Sequence, residues 1–431
     1  MILGLILVFY LGLRIIPYLI YQVPTGYDAG IYLFLFKTFP QIPQWQKLGF
    51  SPGLFYLAWP LTKLGFPAEA ILVPLQIAAE VFLFGCLYWI VKKLLDKKTA
   101  LLAVFLLTVS AIQFRAYWYF YVKNMFALGF MLLALYFLSQ KKPVKSLVFS
   151  LLTAIFHLPT FLMLFLTVMV SNLKMAGLVI LLAGLIYLGN FQQAIKPFLL
   201  PLLKVNSNSG GSFYNLSVSF LLTALYLPLA IYGLKNKSNL KPFFAGAVIA
   251  LVWVVMRLFF YNRFFITLNI FLIFWAAVGL KQLMDKYQQR LDLWQFYLGV
   301  SVIFIIAFIF KTGQPLISRQ LLTEIKAFRA EPEAMILSID KADTAWLMGY
   351  TAQPVIAWNY GGQDKYWTGG QWQQIFGDGA DEKVELFRLL PQPVYVFIND
   401  KNLYRSADLR QPPCFEPKSL HFYKFVCGNK I

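Results

Sequence analysis

The chain has 431 residues, of which 59% are hydrophobic and 13% charged, and its mean hydropathy is +0.64. An ordinary soluble domain carries about 25% charged residues, so this composition excludes one. Of the net charge of +19, residues 1–310 contribute 24 basic against 6 acidic residues, and the rest of the chain is nearly neutral. A basic excess in the loops of a membrane protein indicates topology and membrane-lipid contact, so we expect no nucleic-acid partner.

The first 310 residues predict a mostly α, polytopic helical membrane protein with about eleven transmembrane helices, since each apolar segment is a candidate to cross a hydrocarbon core of ~30 Å. The first segment lacks a following small-residue cleavage site and is interpreted as a retained span. The fifth and sixth are short and form a predicted hairpin with its break near His157, because Pro159 disrupts a helix interior. The segments are 2–21, 70–91, 100–116, 124–139, 146–157, 159–173, 175–190, 217–234, 242–258, 264–280 and 293–310.

Two loops of this pattern are too long to be simple connections. Residues 22–69 contain the aromatic, apolar stretches Ile31–Phe39 and Leu54–Leu64, which are too short to span and suit helices lying in the membrane interface. Residues 206–212 are polar and rich in Gly, Ser and Asn, so they form either a mobile gate or a plain linker.

The distribution of basic residues sets the predicted orientation. With the hairpin in place, the short loops on one side carry 14 basic residues, and the longer loops on the other side carry nine. The positive-inside rule then places the N-terminus in the cytoplasm and the C-terminus outside. The chain is therefore predicted to be a multi-pass protein of the plasma or inner membrane.

The segment after residue 310 changes character and predicts a small extracytoplasmic α/β domain. Its helices and strands alternate, so we divide the chain into a transmembrane domain, 1–310, and a C-terminal domain, 311–431. Cys414 and Cys427 either pair, as an oxidising compartment allows, or remain thiols. The predicted helices are Ser318–Ala330 and Asp381–Leu390, and the predicted strands are Met335–Ile339, Val355–Trp358, Val394–Ile398 and Leu420–Val426.

Acidic residues are rare before residue 311, which narrows the search for a catalytic acid or base. Asp96, Asp285 and Asp292 fall in predicted cytoplasmic loops and are solvated charges, and Glu69 flanks a span. Glu80 lies inside the second span, where an ionisable residue needs a partner. The sixth acidic residue directly follows the first span and opens the first predicted interfacial helix.

That residue is Asp28, and two interpretations stay open for it. As a helix N-cap, its carboxylate accepts hydrogen bonds from free backbone N–H groups. As a general base, it takes a proton from an acceptor hydroxyl whose oxygen attacks a sugar carbon.

A site for a lipid phosphate on the same side also needs cations. Arginine binds phosphate in a bidentate fork and lysine binds it as a point charge. For each cation the alternative is a long side chain that snorkels to the interface, and for His157 the alternative is a hydrogen-bonded packing residue. The candidate cations on this side are Arg115, Lys123, Lys196, Lys204, Arg257 and Arg263.

The order of these features resembles the GT-C superfamily of polytopic glycosyltransferases, especially its prokaryotic dolichyl- or polyprenyl-phosphate mannosyltransferase-like members. Asp28 stands where that family keeps its catalytic acid, and the resemblance covers most of the first 310 residues. The motifs that carry it are Tyr27-Asp28-Ala29-Gly30-Ile31-Tyr32, Ser51-Pro52-Gly53-Leu54-Phe55, Arg115 to Asn124, His157-Leu158-Pro159-Thr160 and Asn262-Arg263-Phe264.

The resemblance implies transfer of a hexose, with mannose as a candidate, from a polyprenyl-phosphate-linked donor to a glycan, lipid or protein acceptor on the outer face. It makes Asp28 the general base and assigns the donor phosphate to Arg263, Lys123 and Arg115. His157, Asn124 and Tyr32 are accessory residues. No cofactor is expected, and Ala29 stands where some members carry a second acid, which argues against a tightly bound divalent metal.

Two other classes of function remain as alternatives. A transporter or flippase of a lipid-linked saccharide would use Glu80 and Arg14, although we find no internal repeat of the kind that transporters show. A non-catalytic membrane scaffold would use its outer tail to bind a partner.

Overall fold

The computed structural model describes residues 1–41, 51–188, 216–234, 240–258, 261–287, 291–339, 341–358, 366–377, 380–399, 407–410 and 413–427. The polar segment 206–212, Lys196 and Lys204 lie outside the described residues. The chain forms two compact units. The transmembrane unit comprises Met1–Ile20 and Gln46–Gln314, and the α/β unit comprises Tyr21–Trp45 and Pro315–Ile431.

The secondary structure is dominated by helices. In chain order they are α1 (Ile2–Tyr21), α2 (Asp28–Thr38), α3 (Gly53–Lys63), α4 (Ala68–Leu94), α5 (Lys97–Thr108), α6 (Ala111–Trp118), α7 (Val122–Ser139), α8 (Pro143–Phe156), α9 (Leu158–Ser171), α10 (Leu173–Tyr187), α11 (Leu216–Ala224), α12 (Leu227–Leu234), α13 (Lys241–Val255), α14 (Tyr261–Lys286), α15 (Leu291–Thr312), α16 (Arg319–Ala327), α17 (Lys341–Tyr350), α18 (Gly369–Gly377) and α19 (Ala380–Arg388). The strands are β1 (Met335–Ser338), β2 (Val355–Ala357), β3 (Val394–Phe397), β4 (Phe415–Pro417) and β5 (Phe422–Phe425).

The transmembrane unit confirms the prediction of a polytopic helical membrane protein. Among the described residues, α1, α4, α7, α14 and α15 are long and apolar enough to span a bilayer. Two bent pairs, α5–α6 at 54° and α11–α12 at 50°, raise the number of candidate spans to seven. Helices α8, α9, α10 and α13 are shorter apolar helices. Each of the eleven predicted segments thus corresponds to a helix or a bent pair, and the chain is a multi-pass membrane protein.

The helix breaks follow from capping side chains. Ser110 begins α6 by accepting a bond from the Gln113 backbone N–H, and its hydroxyl also donates to Asn269 Oδ1 on α14 at 2.7 Å. The Gln113 amide reaches the Ile266 carbonyl on α14 at 2.9 Å. Because Ser110, Gln113 and Asn269 are buried, these bonds fix the bend of α5–α6 against α14.

Glu80 lies inside α4 and has a partner of opposite charge, as was predicted for an ionisable residue within a span. Its carboxylate accepts a bond from Arg14 Nε at 2.7 Å and another from the Tyr10 hydroxyl. Arg14 and Glu80 are 0% and 1% exposed, and the Arg14 guanidinium lies 3.5 Å from the centre of the Tyr10 ring. This buried group joins α1 to α4.

The α/β unit contains a five-stranded sheet in the order β2-β1-β3-β5-β4. Strands β2, β1 and β3 are parallel, and β5 runs antiparallel to both β3 and β4. The predicted helices and strands of the tail are confirmed as α16, α19, β1, β2, β3 and β5, whereas α17, α18 and β4 were not predicted. The transmembrane unit ends at Gln314, four residues after the predicted boundary at residue 310. Residues 21–45, however, belong to the same unit as the C-terminal segment.

Polar links and a disulfide hold the edges of this unit. Cys414 and Cys427, which flank the antiparallel pair β4–β5, form a disulfide across a sequence separation of 13 residues. Glu324 on α16 accepts bonds from the hydroxyl of Ser419 and from the backbone N–H and ring Nδ1 of His421. Burial raises the pKa of Glu324, but these hydrogen bonds outweigh burial and hold that pKa below its usual value of 4.5.

Candidate functional site

The turn between α6 and α7 brings basic and aromatic side chains together. Arg115, in the last turn of α6, donates from Nη2 to the Tyr119 hydroxyl at 2.9 Å. The ring of Tyr119 stacks on that of Tyr121, with 6.2 Å between centroids. The guanidinium of Arg263 lies 5.2 Å from the centre of the Tyr121 ring. Two sequence-distant arginines therefore meet on one pair of tyrosines.

Lys123 belongs to the same region. It is the second residue of α7, is half-buried, and has Nζ 5.6 Å from the centre of the Phe55 ring on α3. An ammonium over an aromatic face is attracted by the ring quadrupole, so Phe55 limits the positions that Lys123 adopts. We call Arg115, Lys123 and Arg263 the cation cluster.

His157 stands in the turn between α8 and α9, where the hairpin break was predicted. Its Nδ1 caps α9 by accepting from the Thr160 backbone N–H at 3.3 Å, and Asn124 Nδ2 lies 3.3 Å from the same atom. A backbone N–H only donates, so Nδ1 is unprotonated and the proton of the neutral ring is on Nε2. This buried ring lies within electrostatic range of the positive charges of Arg263 and Lys123. His157 is therefore a neutral N–H donor near the cation cluster.

The segment before α3 supports this hairpin. The Ser51 hydroxyl accepts from the Leu158 backbone N–H at 3.3 Å and so satisfies a second free donor at the start of α9. A Cβ at Gly53 would lie 2.6 Å from the ring of Phe156, so α3 begins in direct backbone contact with that ring. Ser51 and Phe55 are site members that our sequence analysis did not select, although both lie in a motif that it quoted.

The electrostatics of this region favour an anion. Lys123 lies in the first turn of α7, Arg263 in the first turn of α14, and His157 at the N-cap of α9. A helix N-terminus carries a partial positive charge, which favours anions and disfavours cations. Two helices therefore begin with positive side chains that their own dipoles disfavour, and a third begins with an N–H donor. A negatively charged group that binds among them would stabilise all three helix starts.

Asp28 and Tyr32 lie in the α/β unit, on α2. Helix α2 begins at Asp28, as predicted, and Tyr27 occupies the N-cap position without a side-chain capping bond. Asp28 is half-buried in the first turn, where the helix dipole favours its carboxylate, and Tyr32 is 4% exposed. The described residues thus bring together Arg115, Lys123, Arg263, His157 and Asn124 in one unit, and place Asp28 and Tyr32 on one helix of the other unit.

The remaining candidates do not join these groups. Arg257, an exposed residue after α13, has a positive φ of 50° and makes no described contact with the cation cluster. Within the described ranges, no three His, Cys, Asp or Glu side chains lie close enough to hold a metal ion. Tyr119 and Tyr121 were missed as site residues, and the signal that identifies them is the run of five aromatic residues, 117–121, between the cations Arg115 and Lys123.

Comparison with known proteins gives a family and a fold. The EpsG family matches residues 1–321. No curated protein matches the chain. Among solved structures, ArnT from Cupriavidus metallidurans in the apo state is similar, with 11% identity over 97% of both chains and a TM-score of 0.63. The crystal structure of the same ArnT bound to undecaprenyl phosphate gives 12% identity over 98% of this chain and 97% of that one, and a TM-score of 0.67. This likeness confirms the predicted GT-C fold.

Proposed function

This chain belongs to the EpsG family, and from its fold and its cation cluster we propose that it is a membrane glycosyltransferase with a polyprenyl-phosphate-linked sugar donor. The observation that carries the proposal is the cation cluster, at the end of α6 and the starts of α7 and α14, beside the His157 donor. Lipid phosphates are among the anions that a membrane protein meets, and the cation cluster complements their charge. The similar ArnT structure contains undecaprenyl phosphate, which is a ligand of the same chemical class.

In the proposed reaction, the Asp28 carboxylate accepts the proton of an acceptor hydroxyl, whose oxygen attacks the anomeric carbon of the sugar. The bond between this carbon and the phosphate oxygen breaks, and the polyprenyl phosphate leaves with the bonding electrons. Arg263, Lys123 and Arg115 stabilise the charge that develops on the leaving phosphate, and the neutral His157 N–H donates to it. Asn124 orients His157 through its contact with Nδ1, and Tyr32 packs the helix that carries Asp28.

We place this reaction on the outer face of the membrane, with the N-terminus in the cytoplasm. The loop charges favour this orientation, and the Cys414–Cys427 disulfide in the α/β unit supports it, since disulfides persist in oxidising compartments. The proposed sugar is a hexose, with mannose as the first to test, and the acceptor is a glycan, a lipid or a protein.

The first test concerns the donor phosphate. Purified protein in lipid nanodiscs is titrated with undecaprenyl phosphate, and binding is followed by native mass spectrometry. Lys123→Ala and Arg263→Ala should each weaken binding about 10-fold or more, because each removes a charge-assisted contact of roughly 1.5–3 kcal/mol. Lys174→Ala is the matched control, since Lys174 is also the second residue of its helix, α10, but is exposed. Unchanged binding in both cluster variants would remove the proposed phosphate site.

The second test concerns the base. Asp28→Asn should abolish release of undecaprenyl phosphate from undecaprenyl-phosphate mannose while leaving insertion and undecaprenyl phosphate binding intact. Glu69→Gln is the matched control, because Glu69 is an exposed acid in the first turn of α4. Full activity of Asp28→Asn would eliminate the general base, whereas equal loss in the control would show that any first-turn charge matters.

A further inference from the structure

Helix α2, which begins with Asp28, packs backbone to backbone on α17 within the α/β unit. A Cβ built on Gly30 would overlap the carbonyl group of Ala345, and one built on Gly349 would lie 2.5 Å from the carbonyl oxygen of Gly30. Real Cβ atoms essentially never approach other atoms this closely, so each contact requires glycine. The two helices therefore meet at a point only two residues after Asp28.

A second contact fixes the other end of α2. Lys37, in its last turn, donates from Nζ to the carbonyl oxygen of Gly349 at 2.5 Å. This ammonium therefore binds the same residue of α17 that Gly30 contacts. Two attachments along one short helix restrict both its translation along α17 and its rotation about its own axis.

Helix α17 is itself held by the sheet. It packs on β1, β2 and α16, and Trp346 on it is 1% exposed. Asp343 in its first turn accepts a bond from the Asn399 side chain at 2.6 Å, just after β3. The first turn of α2 is thus connected through α17 to the most regular part of the unit.

We propose that α17 positions Asp28 for catalysis, with Gly349, Gly30 and Lys37 as positioning residues. This inference rests on the proposed function and assigns a role to the C-terminal segment, which is the support of the helix that carries the base. A methyl group at Gly349 must gain about 1 Å of separation to reach ordinary van der Waals distance. A displacement of about 1 Å at a reacting group costs on the order of 100-fold in rate.

The test compares Gly349→Ala with the control variant Gly377→Ala. Gly377 is the last residue of α18 in the same unit, and a Cβ added to it would meet nothing within 4 Å. We expect Gly349→Ala to lower kcat for transfer from undecaprenyl-phosphate mannose about 100-fold, with undecaprenyl phosphate binding unchanged. Gly377→Ala should change neither. Equal kcat in the two glycine variants, or a parallel loss of phosphate binding, overturns the proposal.

A second readout does not depend on activity. In Asp28→Cys, the new thiol is the reactive one, because Cys86 is buried and the other two cysteines form a disulfide. Its rate of alkylation by a maleimide should change when Gly349→Ala is added, and should not change with Gly377→Ala. If Gly349→Ala fails to fold, Lys37→Met takes its place, with Lys37→Arg as the conservative variant expected to restore the rate. An unchanged alkylation rate overturns positioning by α17, whereas a changed rate with no transfer activity in the parent protein overturns the proposed function alone.

Discussion

The buried pair of Arg14 and Glu80 gives the sharpest prediction about stability. In Arg14→Met, the Glu80 carboxylate is 1% exposed and keeps the Tyr10 hydroxyl as its remaining described partner. In Glu80→Leu, the guanidinium of Arg14 stays fully buried without the carboxylate. Each single change removes the Arg14 Nε–Glu80 bond of 2.7 Å. Breaking a buried ion pair from one side costs about 3–5 kcal/mol, because the other charge stays uncompensated.

The double variant Arg14→Met/Glu80→Leu should behave differently from either single change. Arg14 Nη2 and Glu80 Oε1 are buried and make no hydrogen bond within the described residues, so the pair is incompletely satisfied. Replacement of such a pair by apolar side chains of similar size is often neutral or stabilising. We therefore expect the double variant to recover most of the lost stability, so the coupling energy should approach the sum of the two single losses, roughly 6 kcal/mol or more.

The assay is thermal unfolding in detergent, followed by the monomeric peak in fluorescence-detected size-exclusion chromatography. Each single variant should lose several degrees, and the double variant should return to near the parent value. A double variant as unstable as the sum of the single variants would refute the argument, because it would mean that the two side chains stabilise the fold independently.

Three further predictions concern the α/β unit. Cys414→Ser should lower the unfolding free energy of this unit by about 3 kcal/mol, as expected for a loop of about this length, and reductant should have no further effect on the variant. A cysteine at Gly370 should react with a membrane-impermeant thiol reagent on intact cells, and reaction only after lysis would contradict the proposed orientation. Because the pKa of Glu324 is lower in the folded than in the unfolded state, its stabilising contribution is present above about pH 4.5 and is lost as the pH falls through the folded value. Glu324→Gln should therefore unfold at neutral pH more readily than the parent, and the difference in stability should shrink in acid.

The helices of the transmembrane unit were predictable because hydropathy is a local signal. About 20 consecutive apolar residues predict a span whatever they pack against, and the break at His157 was visible from Pro159. Helices α17 and α18 and strand β4 of the C-terminal segment, which were not predicted, lack such a local signal. Helix α17 carries no charged residue after its first turn and is buried on several sides, so it has no polar face to give a helical period.

The grouping of α2 with the tail was not predictable for a different reason. It depends on contact between the backbones at Gly30 and Gly349, which are separated by more than 300 residues of sequence. Neither glycine differs locally from others in the chain, and hydropathy of Ile31–Phe39 indicates only a helix beside the membrane. The cation cluster was partly predictable, because rare charges in an apolar chain stand out, but its tyrosines appear as site members only when their rings are seen against Arg115 and Arg263.

The alternative function as a transporter makes a prediction that separates it from the proposed transferase. A transport path uses ionisable groups that meet water or substrate during the cycle. Arg14 and Glu80, the residues that such a path would use here, are bound to each other and are 0% and 1% exposed. We therefore expect the stable double variant Arg14→Met/Glu80→Leu to retain transfer of mannose from undecaprenyl-phosphate mannose, with a rate within a few-fold of the parent. A double variant that is fully stable but inactive would show that this pair has a role in the reaction cycle, which the proposed transferase mechanism does not assign to it.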